Sequence, residues 1–182
     1  MGERPVVLYF GLIRPYKGVD ILLEAWREVS TSPDGGPELW IVGRPRVPLA
    51  PLEAQASPGV RFVPRFVSDP ELAACFRRAD VVVLPYRHTD RYDFSGVLAA
   101  ALAFGTPTIV SDVGSFSEVA ATGAARLVPP DDAGALASSM SELLQDPRER
   151  ERLSQAARAA ASGPYSWAEV ARRTLALYET IT

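Results

Sequence analysis

Two short stretches carry residue types that could hold an anion. The first, "GLIRPYKG" (11–18), places Arg14 and Lys17 within one turn of each other. The second, "RYDFSGVLAAALAFGTPTIVSD" (91–112), opens a helix of almost only small residues on Ser95 and Gly96. A helix N-terminus leaves backbone N–H groups unpaired and carries a partial positive charge, which attracts phosphate or carboxylate. Gly96 lets the backbone approach such a group closely, and Ser95 can cap the helix or donate its hydroxyl to a phosphate oxygen. The small residues Ala99, Ala100, Ala101 and Ala103 would let this helix lie close to a sheet. Arg14 and Lys17 would supply positive charge, and the combination describes a diphosphate site. Taken singly, a Ser-Gly pair is also an ordinary cap and turn, and the two cations are also ordinary solvated side chains.

Other reactive residue types are scarce. The one histidine, His88, has no nucleophile or carboxylate at a recognisable spacing and reads as a loop residue. Asp90 and Asp93 fit solvated turns or contacts to hydroxyl groups. One His and one Cys cannot build a His/Cys zinc site, so the expected metal content is none. The lone Cys75 excludes an internal disulfide framework and suits a reducing, cytoplasmic compartment. A net charge of −3 predicts no broad nucleic-acid footprint. No apolar stretch reaches the roughly 18 residues of a membrane span.

These stretches must be positioned by the elements around them. Strands are expected at 6–10, 38–42, 60–63, 81–85, 107–110 and 125–129, each brief and nearly continuously apolar. Such runs mark strands buried on both faces, as in a parallel sheet. Residues 17–29 place Val19, Leu22, Leu23 and Trp26 on one helical face. "SDPELAACFRRAD" opens with Ser68 as cap, Pro70 in the first turn and Glu71 completing a capping box. Further helices are expected at 96–104 and 114–121, across 130–161 with a break at Asp146–Pro147, and at 166–181. The last would carry Trp167, Val170, Ala171, Leu175 and Tyr178 on one stripe. The Pro-rich 43–59 segment reads partly as loop.

The alternation predicts an α/β, doubly wound, Rossmann-like parallel sheet of six strands, order 3-2-1-4-5-6, with helices on both faces. Residues 1–182 are expected to form a single domain. Ligands bind such sheets outside the carboxyl ends of the strands, where the strand order reverses. That rule selects the loops after the first and fourth strands, which hold the two stretches named above.

In order along the chain, "FGLIRPYKGVDILLEAW", "ELWIVG", "VSDPELAACFRRADVVVLPY", "SGVLAAALAFGTPTIVSDVGSFSEV" and "LVPPDD…ALASSMSELLQD" resemble the C-terminal, donor-binding domain of GT-B glycosyltransferases of the group 1 (family 4) type. The resemblance covers nearly the whole chain, down to "YSWAEVARRTLALYE". It implies one half of a GT-B fold that binds a nucleoside-diphosphate sugar, UDP- or GDP-linked, for retaining transfer without a metal or other cofactor. It assigns Lys17 to the donor diphosphate and Gly11 to a close approach of phosphates or sugar. The family's usual arginine falls at Leu12, which makes Arg14 the candidate substitute. Arg65, Phe66 and Val67 fall where the backbone meets the nucleobase. Gly105–Pro107 close the small helix. The family often carries two glutamates eight positions apart, and here those positions are Tyr92 and Ala100. Ser95, Gly96 and the Val97 amide are then expected to hold the diphosphate, with Asp90 or Asp93 at sugar hydroxyls.

GT-B enzymes react in a cleft between two domains, and the N-terminal, acceptor-binding one is expected to be absent here. The donor, that second domain or a partner subunit, and neither nucleic acid nor a membrane span, are the expected partners. This chain alone is expected to bind nucleotide and transfer nothing. Two alternatives keep the fold: a noncatalytic partner subunit and half of a nucleotide-sugar epimerase. A nicotinamide-dependent dehydrogenase fits poorly, because "GLIRPYKG" lacks G-x-G-x-x-G, and no P-loop motif is present.

Overall fold

The computed structural model describes residues 4–29, 36–89 and 94–181. Its strands are β1 (Val6–Phe10), β2 (Glu38–Val42), β3 (Val60–Val63), β4 (Val81–Leu84), β5 (Thr108–Ser111) and β6 (Arg126–Val128). They form one parallel sheet in the order β3-β2-β1-β4-β5-β6, as expected. The helices are α1 (Val19–Val29), α2 (Ala50–Glu53), α3 (Asp69–Arg78), α4 (Gly96–Phe104), α5 (Phe116–Ala121), α6 (Ala133–Gln145), α7 (Pro147–Ser162) and α8 (Trp167–Thr180).

Alternating strand residues sort the core into two layers. Val7, Tyr9, Leu39, Ile41, Val81, Val83 and Ile109 pack on one face against α1 and α6, with Trp26 fully buried there. Leu8, Val42, Val82, Leu84 and Val110 pack on the other face against α3, α4, α5 and α7. The chain crosses between layers along α7, whose Leu153 joins the first and whose Ala157 and Ala160 join the second.

Local signals explain where helices start. Ser68 and Glu71 form the expected capping box, and Asp146 caps α7 by accepting from Arg148 and Glu149 N–H groups with Pro147 in the first turn. The expected helix at 17–29 is divided: Pro15–Lys17 form a 3-10 turn, Gly18 adopts a left-handed conformation, and α1 starts at Val19. The expectation for α4 needs correction. Leu98, Ala101 and Leu102 turn inward, whereas Ala99 and Ala103 are exposed. A nine-residue helix shows the sheet only its i, i+3, i+4 face, so outward alanines cannot set its distance. In α8, Ser166 is the expected cap, but none of the residues in Trp167–Thr180 is buried and Trp167 is 87% exposed. Its apolar stripe faces away from the sheet. In 43–59, α2 interrupts what is otherwise loop.

Candidate functional site

The loop after β1 is built by close backbone approaches. Gly11 follows the strand with φ 117°, and its N–H donates to the Val42 carbonyl at 2.9 Å. A Cβ at Gly43 would lie 1.9 Å from the Gly11 carbonyl oxygen, so the ends of β1 and β2 meet where only glycine fits. Gly18 closes the loop at φ 64°, and a Cβ there would lie 1.9 Å from the Pro85 carbonyl oxygen. The loop is thereby pressed onto the end of β4. The Arg87 N–H donates to the Tyr16 carbonyl at 2.8 Å across the same seam.

That seam brings Lys17 to Tyr86. The Lys17 ammonium donates to the Tyr86 hydroxyl at 2.5 Å, and the Tyr86 and Ser95 hydroxyls lie 3.3 Å apart. Ser95 caps α4 by accepting from the Leu98 N–H at 3.4 Å. Gly96 is exposed, and a Cβ built on it would meet nothing within 4 Å. Neither crowding nor a left-handed backbone calls for glycine at this position. Open space in front of the first α4 amides is what remains.

A cleft of about 1150 Å³ lies at the carboxyl ends of β1 and β4. Gly11, Arg14, Lys17, Ser95, Gly96 and Val97 all line it, so every residue expected to contact a diphosphate shares one wall space. Phe10, Leu72, Phe94, Val113 and Phe116 add apolar surface. Among the described residues, neither Arg14 nor Lys17 has a carboxylate partner. Burial, and then the neighbouring Arg14, lower the Lys17 pKa to about 8. Burial pushes the Tyr86 phenol up to about 12, which keeps it protonated and able to donate. Arg87 differs from the other two cations: it donates to Asp20 and Asp131, each at 2.7 Å, tying α1 and the segment before α6 to the end of β4.

The other expected site residues fare differently. Val67 is buried in the core, Arg65 is exposed and paired with Glu71 at 2.6 Å, and Phe66 is 78% exposed; none of the three lines the cleft. Their neighbour Leu72 does. Asp90, Asp93 and Tyr92 lie outside the described residues. Ala100 lines the cleft, so the second of the two expected glutamate positions borders it and is not acidic. His88 also lines the cleft and is exposed. Among the described residues, no group of three or more His, Cys, Asp or Glu could hold a metal ion. No helix of the described residues is long and apolar enough to cross a membrane.

Tyr86 was not among the expected site residues. It ends "VVVLPY", an apolar run that reads as buried strand, and its hydroxyl was the only available signal.

Residues 4–146 match the family described as "Glycosyl transferases group 1". The chain belongs to the group 1 glycosyltransferases. It is 34% identical over 168 residues to the MMP alpha-(1->4)-mannosyltransferase of Mycolicibacterium hassiacum, covering 91% of this chain and 40% of the relative. It is 35% identical over 185 residues to the phosphatidyl-myo-inositol mannosyltransferase of Mycolicibacterium smegmatis, covering 99% of this chain and 46% of that protein. Among solved structures, it superposes on 45% of sucrose-phosphate synthase from Thermosynechococcus elongatus with TM-score 0.80 and 28% identity, over 98% of this chain. The chain thus spans less than half the length of these proteins, as one Rossmann-like half of a GT-B fold.

Proposed function

We propose that this chain is the half of a group 1 glycosyltransferase that binds the nucleoside-diphosphate sugar, and that the donor diphosphate lies in the cleft between Lys17, Arg14 and the N-terminus of α4. One observation carries it: two cations without carboxylate partners among the described residues line the same cleft as Gly96, where an added Cβ would meet nothing within 4 Å. Ser95 and the Gly96 and Val97 amides would receive the phosphate oxygens from the helix side. Arg14 and Lys17 would stabilise the charge that builds on the departing nucleoside diphosphate, each such donor contributing a few kcal/mol. Transfer would be retaining and metal-independent, in a cleft completed by a second, acceptor-binding domain or subunit, in the cytoplasm. The names of the relatives favour a hexosyl donor, and one of them, 36% identical over 57% of this chain, is named for GDP-mannose.

Calorimetric titration with UDP, GDP and ADP, each against its monophosphate, tests this. Preference for one diphosphate over its monophosphate is the expected result. Equal affinity for the two, or no heat with any of the six, removes the diphosphate assignment. A noncatalytic, partner-docking role has Ala100 in its favour, since a cleft-lining position that the resemblance makes acidic is not. Selective diphosphate binding would count against a purely docking role.

A further inference from the structure

Of the nineteen lysine and arginine residues in this chain, Lys17 is the one lysine. A compact ammonium has three donors on a tetrahedral centre, whereas guanidinium is a flat fork. Tyr86 uses one of those three. We propose that Tyr86 is a positioning residue for the diphosphate, holding the Lys17 ammonium and the Ser95 hydroxyl so that their remaining donors face the same phosphate oxygens; this rests on the donor-binding role proposed above.

The contacts allow one order of protons that serves this role. Lys17 can only donate, so the Tyr86 oxygen accepts from it at 2.5 Å. The Tyr86 and Ser95 hydroxyls lie 3.3 Å apart and either can donate; in the proposed arrangement Tyr86 donates and the Ser95 oxygen accepts, as it does from the Leu98 N–H at 3.4 Å. In that arrangement Ser95 keeps its own proton for a third group. Lys17 keeps two N–H bonds. The Tyr86 ring is itself held, edge-on to Tyr16 at 5.9 Å and tilted against Phe116 at 5.1 Å. It is only 7% exposed, so its hydroxyl is a fixed point rather than a mobile surface group. Removing that oxygen leaves the ring packing intact but frees both donors, and their ordering entropy would then fall on ligand binding.

The charged or titratable groups that line the cleft with Lys17, among the described residues, are Arg14 and Tyr16 of its own loop, and Tyr86, Arg87 and His88 after β4, with Asp20 and Asp131 held by Arg87. The cleft walls from α3, α4 and the turn before α5 are apolar or small apart from Ser95. Tyr9, beneath the loop, spends its hydroxyl on the Leu12 carbonyl. All of these except Tyr86 itself are shared by the wild type and a Tyr86→Phe variant, so a difference between the two isolates one oxygen.

The test compares the 182-residue chain with Tyr86→Phe, in the Lys17 and Lys17→Ala backgrounds, titrated with UDP and GDP. Tyr86→Phe should weaken the nucleotide bound by the wild type roughly tenfold, the loss of an ordered charge-assisted contact. In the Lys17→Ala background the same change should cost less than about twofold, because its effect runs largely through Lys17. With one lysine in the chain, a ¹³C spectrum of the lysine ε-carbon reports Lys17 alone. Its titration midpoint should fall below that of the wild type, since the ammonium stays desolvated and loses its acceptor. Equal affinity, equal losses in both backgrounds, or an unmoved or raised midpoint overturns the role of Tyr86 and leaves the donor site standing. If the wild type binds neither nucleotide, the donor site falls and this role with it. Should Tyr86→Phe not fold, proton cross-relaxation between the lysine ε-methylene and the Tyr86 ring in the wild type decides the contact, and its absence overturns the proposal.

Discussion

At the amino end of the sheet the cations are neutralised one by one. Arg4 lies 3.3 Å from Glu38, Arg78 lies 3.3 Å from Asp80, and Arg126 reaches both Glu142 and Glu149 at 2.5 and 3.0 Å. Asp80 also accepts from the Val6 N–H at 2.8 Å, so these pairs tie strand starts to neighbouring segments. At the carboxyl end, Lys17 meets the Tyr86 hydroxyl and two aromatic rings, Arg14 lines the same cleft, and neither has a carboxylate partner among the described residues. Arg87 marks the boundary, lining the cleft while paired with Asp20 and Asp131. Exposed pairs of the first kind contribute only about 0–1 kcal/mol each to stability. A half-buried ammonium without a carboxylate partner among the described residues costs stability, which a bound anion would offset. On the proposed reading, the two ends divide between holding the fold and holding a ligand.

The largest change should come from detaching the loop that carries Arg14 and Lys17. Gly18→Ala forces a side chain into a left-handed backbone and toward the Pro85 carbonyl. A stability loss of about 3 kcal/mol is expected from strain and overpacking together. Urea denaturation measures it, and a loss below about 1 kcal/mol would show that the loop is not pinned there.

Next in size is Lys17→Ala, which should weaken nucleoside diphosphate binding by about 1.5–3 kcal/mol, the range for a hydrogen bond to a charged group. Arg14→Ala should act in the same direction. Unchanged calorimetric affinity in both variants would make the carboxyl-end cations as inert toward ligand as those at the amino end. The pH dependence has a definite sign: Lys17 binds an anion in its charged form, so affinity should hold below a pH of about 8 and decline as pH rises through that value, moved upward once the anion is bound.

Gly96→Val sharpens the comparison from the helix side. With no atom within 4 Å of the added Cβ, the fold should lose no more than about 1 kcal/mol of helix propensity. Binding should fall by about 1–3 kcal/mol, as expected for crowding a filled space. Normal binding by this variant would reduce Ser95–Gly96 to a cap.

The smallest effect belongs to the amino end. Hydrogen bonding from Arg152, and then from Arg126, holds the Glu149 pKa down at about 2 against burial. A depressed carboxylate stabilises the fold above its ordinary pKa near 4.5, and that contribution is lost as pH falls toward 2. Glu149→Gln should therefore cost about 0.2–1 kcal/mol at neutral pH, less at acid pH, and nothing in diphosphate affinity. A change in affinity would join the two ends and break the division drawn here.

Much of this was legible along the chain. Apolar runs marked the strands, the break at Asp146–Pro147 fell where α6 gives way to α7, and the Ser68–Glu71 box opened α3 as expected. That Gly11, Arg14, Lys17, Ser95, Gly96 and Val97 would share one cleft was legible because the strand-order rule says where two loops must meet. Arg65, Phe66 and Val67 were less so. Residues next to a cleft wall and residues within it look alike in sequence, and the turn after β3 puts Val67 into the core.

What the sequence by itself determined is the local and periodic content: which segments extend, which coil, where each helix is capped, and hence the strand order that right-handed crossovers allow. Tertiary structure alone decided three things. It turned the stripe of α8 outward, because an amphipathic period states that a face is apolar but not what covers it. It placed two alanines of α4 in solvent. It also set the Lys17 ammonium on the Tyr86 hydroxyl, a contact across 69 positions of chain. A hydrogen bond requires oxygen and nitrogen within about 3 Å, and that distance is set by how tightly Gly18 lets one loop press on the end of another strand.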